Sequence, residues 1–376
     1  MSERTSITPP IGQTAQVGYP CASRELGACV DMRDRFWVTW VSHLNGRDTI
    51  MARRWSDADA ELTVQVSEAT GEFINPSAIG MPHGILFLWR SYHDDGWRIR
   101  ARALYNEEWR DEIEIAIPQH SISAFAVTRD ANDEIWLMMA THGNGESSVW
   151  CSKGVGDDWS EPTFAFSHRG RIDRLRIASS ANALWLAWDC YCDGFFHIWV
   201  SCNSDGVWEQ PHSVSQVVAT GDEWHLVPTI ACDASGMPFV AWLMPMPVAD
   251  NLGAYDHWLW LMCARYDGKR WLPITDEKVA RLLPGCVESL AQGLLASETY
   301  VGYHGRRRHP MLIADERCGM WLLWERKPRE DFDTAKWGVL CAKFYDGEQW
   351  HEPIELHRGA LCYQVDEATV VKDGKL

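Results

Sequence analysis

Several signals that would assign this chain to a known enzyme class are missing from its sequence. It contains no glycine-rich phosphate loop opening a helix, no Gly-x-Ser-x-Gly and no His-Glu-x-x-His. The 12 cysteines include no Cys-x-x-Cys pair, and the doublet Cys190 and Cys192 with His197 fits no established zinc spacing. We therefore expect neither a cofactor nor a bound metal.

Basic residues are also scarce. The chain has 35 lysines and arginines against 52 aspartates and glutamates, which gives a formal net charge of −17. Binding to nucleic acid or to an anionic membrane needs a basic surface that neutralises phosphates, so neither partner is expected. An anionic ligand would have to be held by a local cluster of cations.

Long apolar runs are absent too. No window approaches 18 uninterrupted apolar residues, and residues 1–13 lack the apolar core of a secretory signal. The cysteines are scattered, which is typical of reduced and mostly buried thiols. Together these features predict a cytoplasmic location and no membrane partner.

No segment shows the apolar period of a helix, whereas one short apolar pattern recurs along the chain. Each copy is a run containing Trp, found at 36–40, 85–89, 135–139, 184–188, 238–242 and 320–324. A turn-rich stretch and another apolar segment precede each run, and two further short segments follow it. Four short strands in a repeat of about 50 residues are typical of a β-propeller blade.

Counting the innermost strands predicts the number of blades. Seven such strands are expected to start near Glu25, Asn75, Ala124, Arg174, Val227, His309 and Asp366. We predict an all-β fold, a seven-bladed β-propeller that forms a single domain over 1–376 with an incomplete last blade. A six-bladed ring is the alternative. In either ring, the recurring tryptophans should be buried at equivalent second-strand positions: Trp40, Trp89, Trp188, Trp242 and Trp324.

One turn carries a resemblance to known repeats. The stretch Ser201-Cys-Asn-Ser-Asp205-Gly206-Val-Trp208 resembles the Asp-box of sialidase-like, BNR-repeat propellers, and Asp267-Gly268 and Asp346-Gly347 are degenerate copies. The resemblance implies a propeller of a superfamily that includes glycosidases and polysaccharide lyases. The arginine triad and the Arg-Ile-Pro signature of sialidases are not recognisable, so sialidase activity is not implied.

Three interruptions of the repeat point to one face of the ring. The segment 279–308 reads as an insertion before the sixth innermost strand, and the loops 245–256 and 326–336 are enlarged. All three are expected on the face where ligands usually sit over a propeller channel. We therefore predict the functional site on that face.

The end of the 279–308 segment supplies the strongest candidates. Tyr303 is followed by three consecutive arginines and then by His309, and the arginines are Arg306, Arg307 and Arg308. They could form a solvated turn paired with nearby carboxylates. They could equally capture a carboxylate, sulfate or phosphate, since the planar guanidinium suits such groups.

The starts of the innermost strands add a polar ring of candidates. Glu25, Asn75, Arg174 and Asp366 should point at one axial pocket with His309, and His225 lies two residues before Val227. In this hypothesis Arg174 and Arg307 hold an acidic group, His309 or His225 is the base, and Tyr303 is the acid. A histidine at such a position is also commonly a structural hydrogen-bonding group.

Two functions of different classes fit these patterns. The first is a carbohydrate-active enzyme that acts on an acidic, uronate-type oligosaccharide, by hydrolysis or elimination, in an axial pocket. The second is a non-catalytic propeller module that binds a glycan or a protein. The polar residues of the ring differ from blade to blade, which favours one axial site over repeated lectin sites. The expected partner is an acidic oligosaccharide or another small anion.

Overall fold

The fold was described from a computed structural model of the chain. It describes residues 23–55, 62–117, 121–155, 158–218, 224–247, 257–282, 292–300, 310–315, 319–326 and 337–360. Within these ranges the chain forms six antiparallel sheets. In each sheet the first four strands pair in chain order, and in four of the sheets a fifth strand also pairs with the third. None of the helices in the same ranges has the length and apolar character needed to cross a membrane.

The first three sheets are blades 1 to 3. Blade 1 contains β1 (Ser23–Val30), β2 (Phe36–Leu44), β3 (Arg47–Trp55) and β4 (Leu62–Gln65). Blade 2 contains β5 (Phe73–Met81), β6 (Gly84–His93), β7 (Gly96–Tyr105), β8 (Glu108–Trp109) and β9 (Ile113–Ile115). Blade 3 contains β10 (Ile122–Arg129), β11 (Ile135–Gly143), β12 (Glu146–Val155), β13 (Asp158–Trp159) and β14 (Thr163–Arg169).

The remaining sheets are blades 4 to 6, with two short helices. Blade 4 contains β15 (Arg171–Ser179), β16 (Ala183–Cys192), β17 (Phe195–Ser204), β18 (Val207–Trp208) and β19 (His212–Ser213), and is followed by α1 (Ser215–Val218). Blade 5 contains β20 (Leu226–Cys232), β21 (Pro238–Pro247), β22 (His257–Tyr266), β23 (Trp271–Pro273), α2 (Glu277–Leu282) and β24 (Leu294–Tyr300). Blade 6 contains β25 (Met311–Asp315), β26 (Gly319–Arg326), β27 (Trp337–Tyr345) and β28 (Ile354–Ala360).

The recurring tryptophans lie where the repeat predicted them. Each lies in the second strand of its blade and is at most 6% exposed: Trp40, Trp89, Trp188, Trp242 and Trp324. The hydrophobic clusters combine residues of adjacent blades, as where Trp242 of blade 5 packs in one cluster with Val200 of blade 4. A buried aromatic removes on the order of 150–250 Å² from water. These residues therefore hold the ring together from between its blades.

The hairpin that joins the first and second strands is built by one aspartate in several blades. Asp31, Asp130 and Asp233 each accept, through Oδ1, the backbone N–H groups two and four residues further on. In blades 1 and 3 the other carboxylate oxygen accepts the indole N–H of Trp37 or Trp136. Such side chain-to-backbone bonds favour a turn over continued strand.

The number of blades corrects one prediction. The all-β propeller is confirmed with six blades in the described ranges, so the seven-bladed ring is not supported and its six-bladed alternative is. Asp366, from which the seventh innermost strand was inferred, lies outside the described residues. Part of α2 and all of β24 fall within the segment 279–308, and its interpretation as an insertion stays a prediction. β24 pairs with β22 and is the outer strand of blade 5.

Candidate functional site

A cavity of about 910 Å³ lies on the axis of the ring. Residues from the first strand of all six blades line it: β1, β5, β10, β15, β20 and β25. Ligand cavities in proteins typically measure about 300–1,000 Å³. The cavity is therefore large enough for a small oligosaccharide.

One end of the cavity, which we call the mouth, lies where five of these strands begin, and each of the five has a β-bulge there. The strand register shifts next to Glu25 in β1, Asn75 in β5, Ser123 in β10, Asp173 in β15 and Val227 in β20. Bulges bend a strand and change the direction of side chains, and they are common beside active sites. The positions that the sequence analysis aligned as strand starts are therefore at or next to the β-bulges that these five blades share.

Blades 2 and 5 have the more pronounced irregularity. Asn75 and Val227 have φ angles of +52° and +58°, a region that residues other than glycine seldom occupy. Each is followed by a proline, which has no N–H to give to the strand ladder and so fits a bulge. Backbone strain of this kind persists only where surrounding contacts hold it in place.

Arginine dominates the charged lining of the cavity. Among the described residues that line it, four are arginines and one is an acid: Arg90, Arg171, Arg174 and Arg176 against Asp173. The chain as a whole carries a net charge of −17, so this concentration of cations runs against the average composition. A concave site with charges of one sign attracts a ligand of the opposite sign. The described lining therefore carries an excess of positive charge.

Arg174 is fixed by a buried carboxylate. Its Nη1 donates to Oδ2 of Asp189 at 2.5 Å, and the two side chains are 24% and 0% exposed. The same oxygen accepts the backbone N–H of Val227 at 2.9 Å. Asp189 thus joins the arginine of blade 4 to the bulge of blade 5, and part of the guanidinium remains open to the mouth.

Arg90 has a comparable place in blade 2. Its Nη1 donates to Oδ1 of Asn75 at 3.2 Å, and its guanidinium carbon lies 4.8 Å from the ring centre of Trp97. Trp97 also lines the cavity, and its backbone N–H donates to Oγ of Ser121 at 3.0 Å. Arginine stacked on an aromatic ring keeps its guanidinium plane in a defined orientation.

His225 is buried beside the mouth and is not among the described residues that line the cavity. It is 2% exposed, and burial lowers its pKa to about 3, with the nearby His197 as a smaller cause. Its Nδ1 accepts the indole N–H of Trp242 at 2.8 Å. In the neutral ring the proton must then be on Nε2, so neither nitrogen has an unused lone pair. This arrangement favours a structural role, and a catalytic role for His225 stays a prediction.

Of the other predicted site residues, Asn75 and Arg174 come together at the mouth. Glu25 is in β1, and its side chain lies outside the described residues. The remaining predicted residues also lie outside them: Tyr303, Arg306, Arg307, Arg308, His309 and Asp366. Their assignments stay predictions.

Two residues at the mouth were missed by the sequence analysis. Arg90 and Asp189 each follow the buried tryptophan of a second strand, directly after Trp89 and Trp188. A charged residue directly after the tryptophan that ends an apolar run is the sequence signal that could have identified them. Within the described part of the chain, no group of three or more His, Cys, Asp or Glu side chains is arranged to hold a metal ion.

The turn that resembles an Asp-box joins the third strand of blade 4 to its outer strand. Asp205 and Gly206 lie between β17 and β18 with φ angles of +57° and +81°. Ser201 donates from Oγ to the backbone oxygen of Glu209 at 2.7 Å, which closes the turn. This place in the blade is compatible with the resemblance but does not establish sialidase-like or BNR membership.

No protein-family model matches the sequence, and no curated protein is similar to it in sequence. Two structures of a polysaccharide lyase PL25 ulvan lyase resemble the chain, each with a TM-score of 0.59, at 14% and 13% identity, covering 92% of this chain and 88% of the other. The second is bound to -[GlcA(1-4)Rha3S]-. The polysaccharide lyase Uly1 has a TM-score of 0.50 at 6% identity over 94% of this chain and 84% of its own. At these identities the likeness shows the fold alone, a β-propeller fold that this chain shares with carbohydrate-active enzymes.

Proposed function

We propose that the protein is a carbohydrate-active enzyme that cleaves an acidic, uronate-type oligosaccharide in the axial cavity. The observation that carries this proposal is the charged lining of the cavity, where Arg90, Arg171, Arg174 and Arg176 face a single Asp173 among the described residues. The planar guanidinium binds carboxylate and sulfate groups through paired hydrogen bonds. The excess of positive charge in this lining would attract a carboxylate or sulfate more strongly than a neutral sugar.

The aromatic content of the same cavity indicates the kind of carbohydrate. Trp97 lines the mouth beside Arg90, so an apolar ring face and a cation adjoin there. A uronate residue has both an apolar ring face and a carboxylate, and it matches this pair. The ulvan lyase of similar fold is bound to a fragment containing GlcA, which supports an acidic sugar as the ligand.

Elimination is the reaction that the described lining favours. Neutralising the uronate carboxylate acidifies the proton on the neighbouring carbon. A base then removes that proton, the bond from the next carbon to the glycosidic oxygen breaks, a carbon–carbon double bond forms, and an acid protonates the departing oxygen. We assign neutralisation to Arg174 and Arg307, the base to His309 and the acid to Tyr303.

Hydrolysis is the second route to cleavage. Most glycosidases use a pair of carboxyl groups on either side of the scissile bond. Among the described lining residues Asp173 is the one acid, and its Oδ1 forms an ion pair with Nε of Arg171 at 2.8 Å. The described lining therefore contains the cations that elimination needs, whereas it lacks the pair of carboxyl groups that most glycosidases use.

The proposal is tested by incubating the protein with a panel of uronate-containing oligosaccharides. Ultraviolet absorbance detects the unsaturated uronate that elimination forms, and a reducing-end assay detects every cleavage. A rise in both signals supports elimination, and new reducing ends without the absorbance support hydrolysis. Binding without cleavage would instead favour a non-catalytic glycan-binding module. An absence of both binding and cleavage across the panel would contradict the proposal.

A further inference from the structure

A group of aromatic side chains lies exposed at the mouth, outside the axial cavity. Tyr191 is 48% exposed and Trp224 is 41% exposed, and Phe196 lies between them. Ring centres are 5.1 Å apart for Tyr191 and Phe196, and 5.6 Å apart for Phe196 and Trp224. We call these three residues the aromatic strip.

The strip adjoins the cavity through the backbone of blade 4. Tyr191 pairs in the strand ladder with Arg171, which lines the cavity. At the other end, the residue after Trp224 donates its backbone N–H to the backbone oxygen of Phe196 at 3.0 Å. The strip thus begins at the cavity rim and crosses from blade 4 to the start of blade 5.

The strip is held in shape by a short hairpin. Tyr191 and Phe196 flank the turn between β16 and β17, in which Asp193 and Gly194 have φ angles of +54° and +96°. Two central residues with positive φ make a tight turn that matches the twist of the strands. The two rings are therefore positioned before any ligand arrives, which lowers the entropy lost on binding.

Packing in the hydrophobic core does not explain why these aromatic rings are exposed and in contact with one another. Single exposed apolar residues are normal on a protein surface, but a contiguous group beside a cavity commonly marks a binding site. Tyrosine and tryptophan offer a broad apolar face together with a polar edge. Such faces suit the apolar face of a sugar ring.

Charge at the inner end of the strip indicates which sugar. Arg171 is 63% exposed and has Asp173 as its ion-pair partner, and exposed pairs of this kind contribute little to stability. Its guanidinium is thus largely accessible to a carboxylate, and the strand ladder places Arg171 opposite Tyr191. An aromatic face beside an accessible cation matches the same uronate unit that the cavity is proposed to bind.

We propose that the aromatic strip is a second sugar-binding subsite, which holds further units of an acidic chain whose other end occupies the axial cavity. This inference rests on the proposed function. It implies that the ligand is a chain longer than the cavity alone accommodates. Affinity should therefore rise with chain length until the strip is filled.

Calorimetric titration with uronate oligosaccharides of increasing length, from disaccharide to hexasaccharide, tests the subsite. Tyr191→Ala and Trp224→Ala should leave the affinity for the shortest ligand unchanged. Each should weaken binding of the longer ligands by about three- to tenfold, the range expected for one aromatic contact. Trp224→Phe keeps a ring and should restore most of the loss.

Phe164→Ala provides the matched control, because Phe164 is 56% exposed on β14 of blade 3, away from the strip. It should bind every ligand as the unaltered protein does. An equal loss at every chain length, or no loss at any, would overturn the subsite while leaving the proposed function intact. Failure of the unaltered protein to bind any ligand of the series would overturn both.

Discussion

Arg174 and Asp189 face each other across two neighbouring strands of blade 4, joined at 2.5 Å at the mouth of the axial cavity. The carboxylate is fully buried and also accepts the backbone N–H of Val227, whose φ angle is +58°. One side chain thus orients a cation of the candidate site and stabilises an unusual backbone conformation in the next blade. The site and the interface between blades 4 and 5 share this carboxylate.

Replacing the buried carboxylate should destabilise the fold. Asp189→Ala leaves the N–H of Val227 and the guanidinium of Arg174 without their acceptor, and the free energy of unfolding should fall by about 2–3 kcal/mol. Asp189→Asn keeps an oxygen for the N–H and should lose less. Urea denaturation measures both.

The matched control for Asp189 is Asp173→Ala. Asp173 belongs to an ion pair with Arg171 in which the side chains are 34% and 63% exposed. Exposed pairs contribute about 0–1 kcal/mol, so this variant should unfold almost as the unaltered protein does. Equal losses for Asp189→Ala and Asp173→Ala would show that Asp189 has no special role.

His225 should make the protein sensitive to acid. Burial lowers its pKa to about 3 in the folded state, whereas in the unfolded chain the pKa returns to about 6.5. The unfolded chain therefore takes up a proton first as the pH falls below about 6.5, and the loss of stability reaches about 2 kcal/mol near pH 5. His225→Asn keeps an acceptor for Trp242 without titrating in this range.

Thermal or urea unfolding at pH 7 and pH 5 measures the effect. The difference in stability between the two pH values should be smaller in His225→Asn than in the unaltered protein. His168, whose pKa burial lowers to about 4, should account for part of the remainder. If stability depended on pH in His225→Asn as it does in the unaltered protein, the buried neutral His225 would not be the cause of the acid sensitivity. Unchanged turnover in His225→Asn would exclude His225 as the catalytic base.

Cys192 should be a reactive thiol. The interaction with the Cys190 thiol lowers the pKa of Cys192 to about 7 and raises the pKa of Cys190, which keeps its proton. Alkylation of Cys192 by iodoacetamide should therefore rise with pH around 7 rather than at the higher pH of an ordinary thiol. Peptide mass spectrometry gives the rate at each pH.

Two variants at Cys190 test whether its side chain sets the pKa of Cys192. Cys190→Ser still carries a donor and should keep the alkylation midpoint of Cys192 low, whereas Cys190→Ala should move it upward. A midpoint that is the same in both variants would show that the Cys190 side chain does not set the reactivity.

The predicted roles of Arg307 and His309 differ in their kinetic signatures. Arg307→Ala should weaken substrate binding by roughly tenfold or more, since a hydrogen bond to a charged group contributes about 1.5–3 kcal/mol. His309→Ala should mainly lower kcat if His309 is the base. Steady-state kinetics on a cleaved oligosaccharide distinguishes the two, and unchanged constants in both variants would refute the assignments.

The fold was largely predictable because the tryptophan positions repeat. Trp40, Trp89, Met139 and Trp188 recur at nearly constant intervals of about 50 residues, since each fills the equivalent buried position of its blade. The number of blades was harder to infer, because the segment that starts near Asp366 was taken for a seventh innermost strand. The outer strand of blade 5 was not identified either. The long interval from Trp242 to Trp324 contains α2 and β24, and a sequence pattern does not show which strand a short apolar run will pair with.

The candidate site was predictable only in part. Arg174 and Asn75 were found because aligning the apolar cores also aligns the strand starts. Asp189 was missed because its pairing with Arg174 depends on a bulge at Asp173, which changes the register. The burial of His225 was also not apparent, since its contact with Trp242 joins residues 17 apart in the chain.

The central claim is that the arginines at the mouth select an acidic sugar. The most direct test is calorimetric titration of an acidic oligosaccharide and its carboxyl-reduced, neutral counterpart into the unaltered protein, Arg174→Ala and Arg129→Ala, where Arg129 ends β10 at the opposite end of the channel. We predict that the unaltered protein and Arg129→Ala bind the acidic form more tightly. Arg174→Ala should lose roughly tenfold or more for the acidic form alone. Equal affinity for the two forms, or an unchanged affinity in Arg174→Ala, would contradict the account.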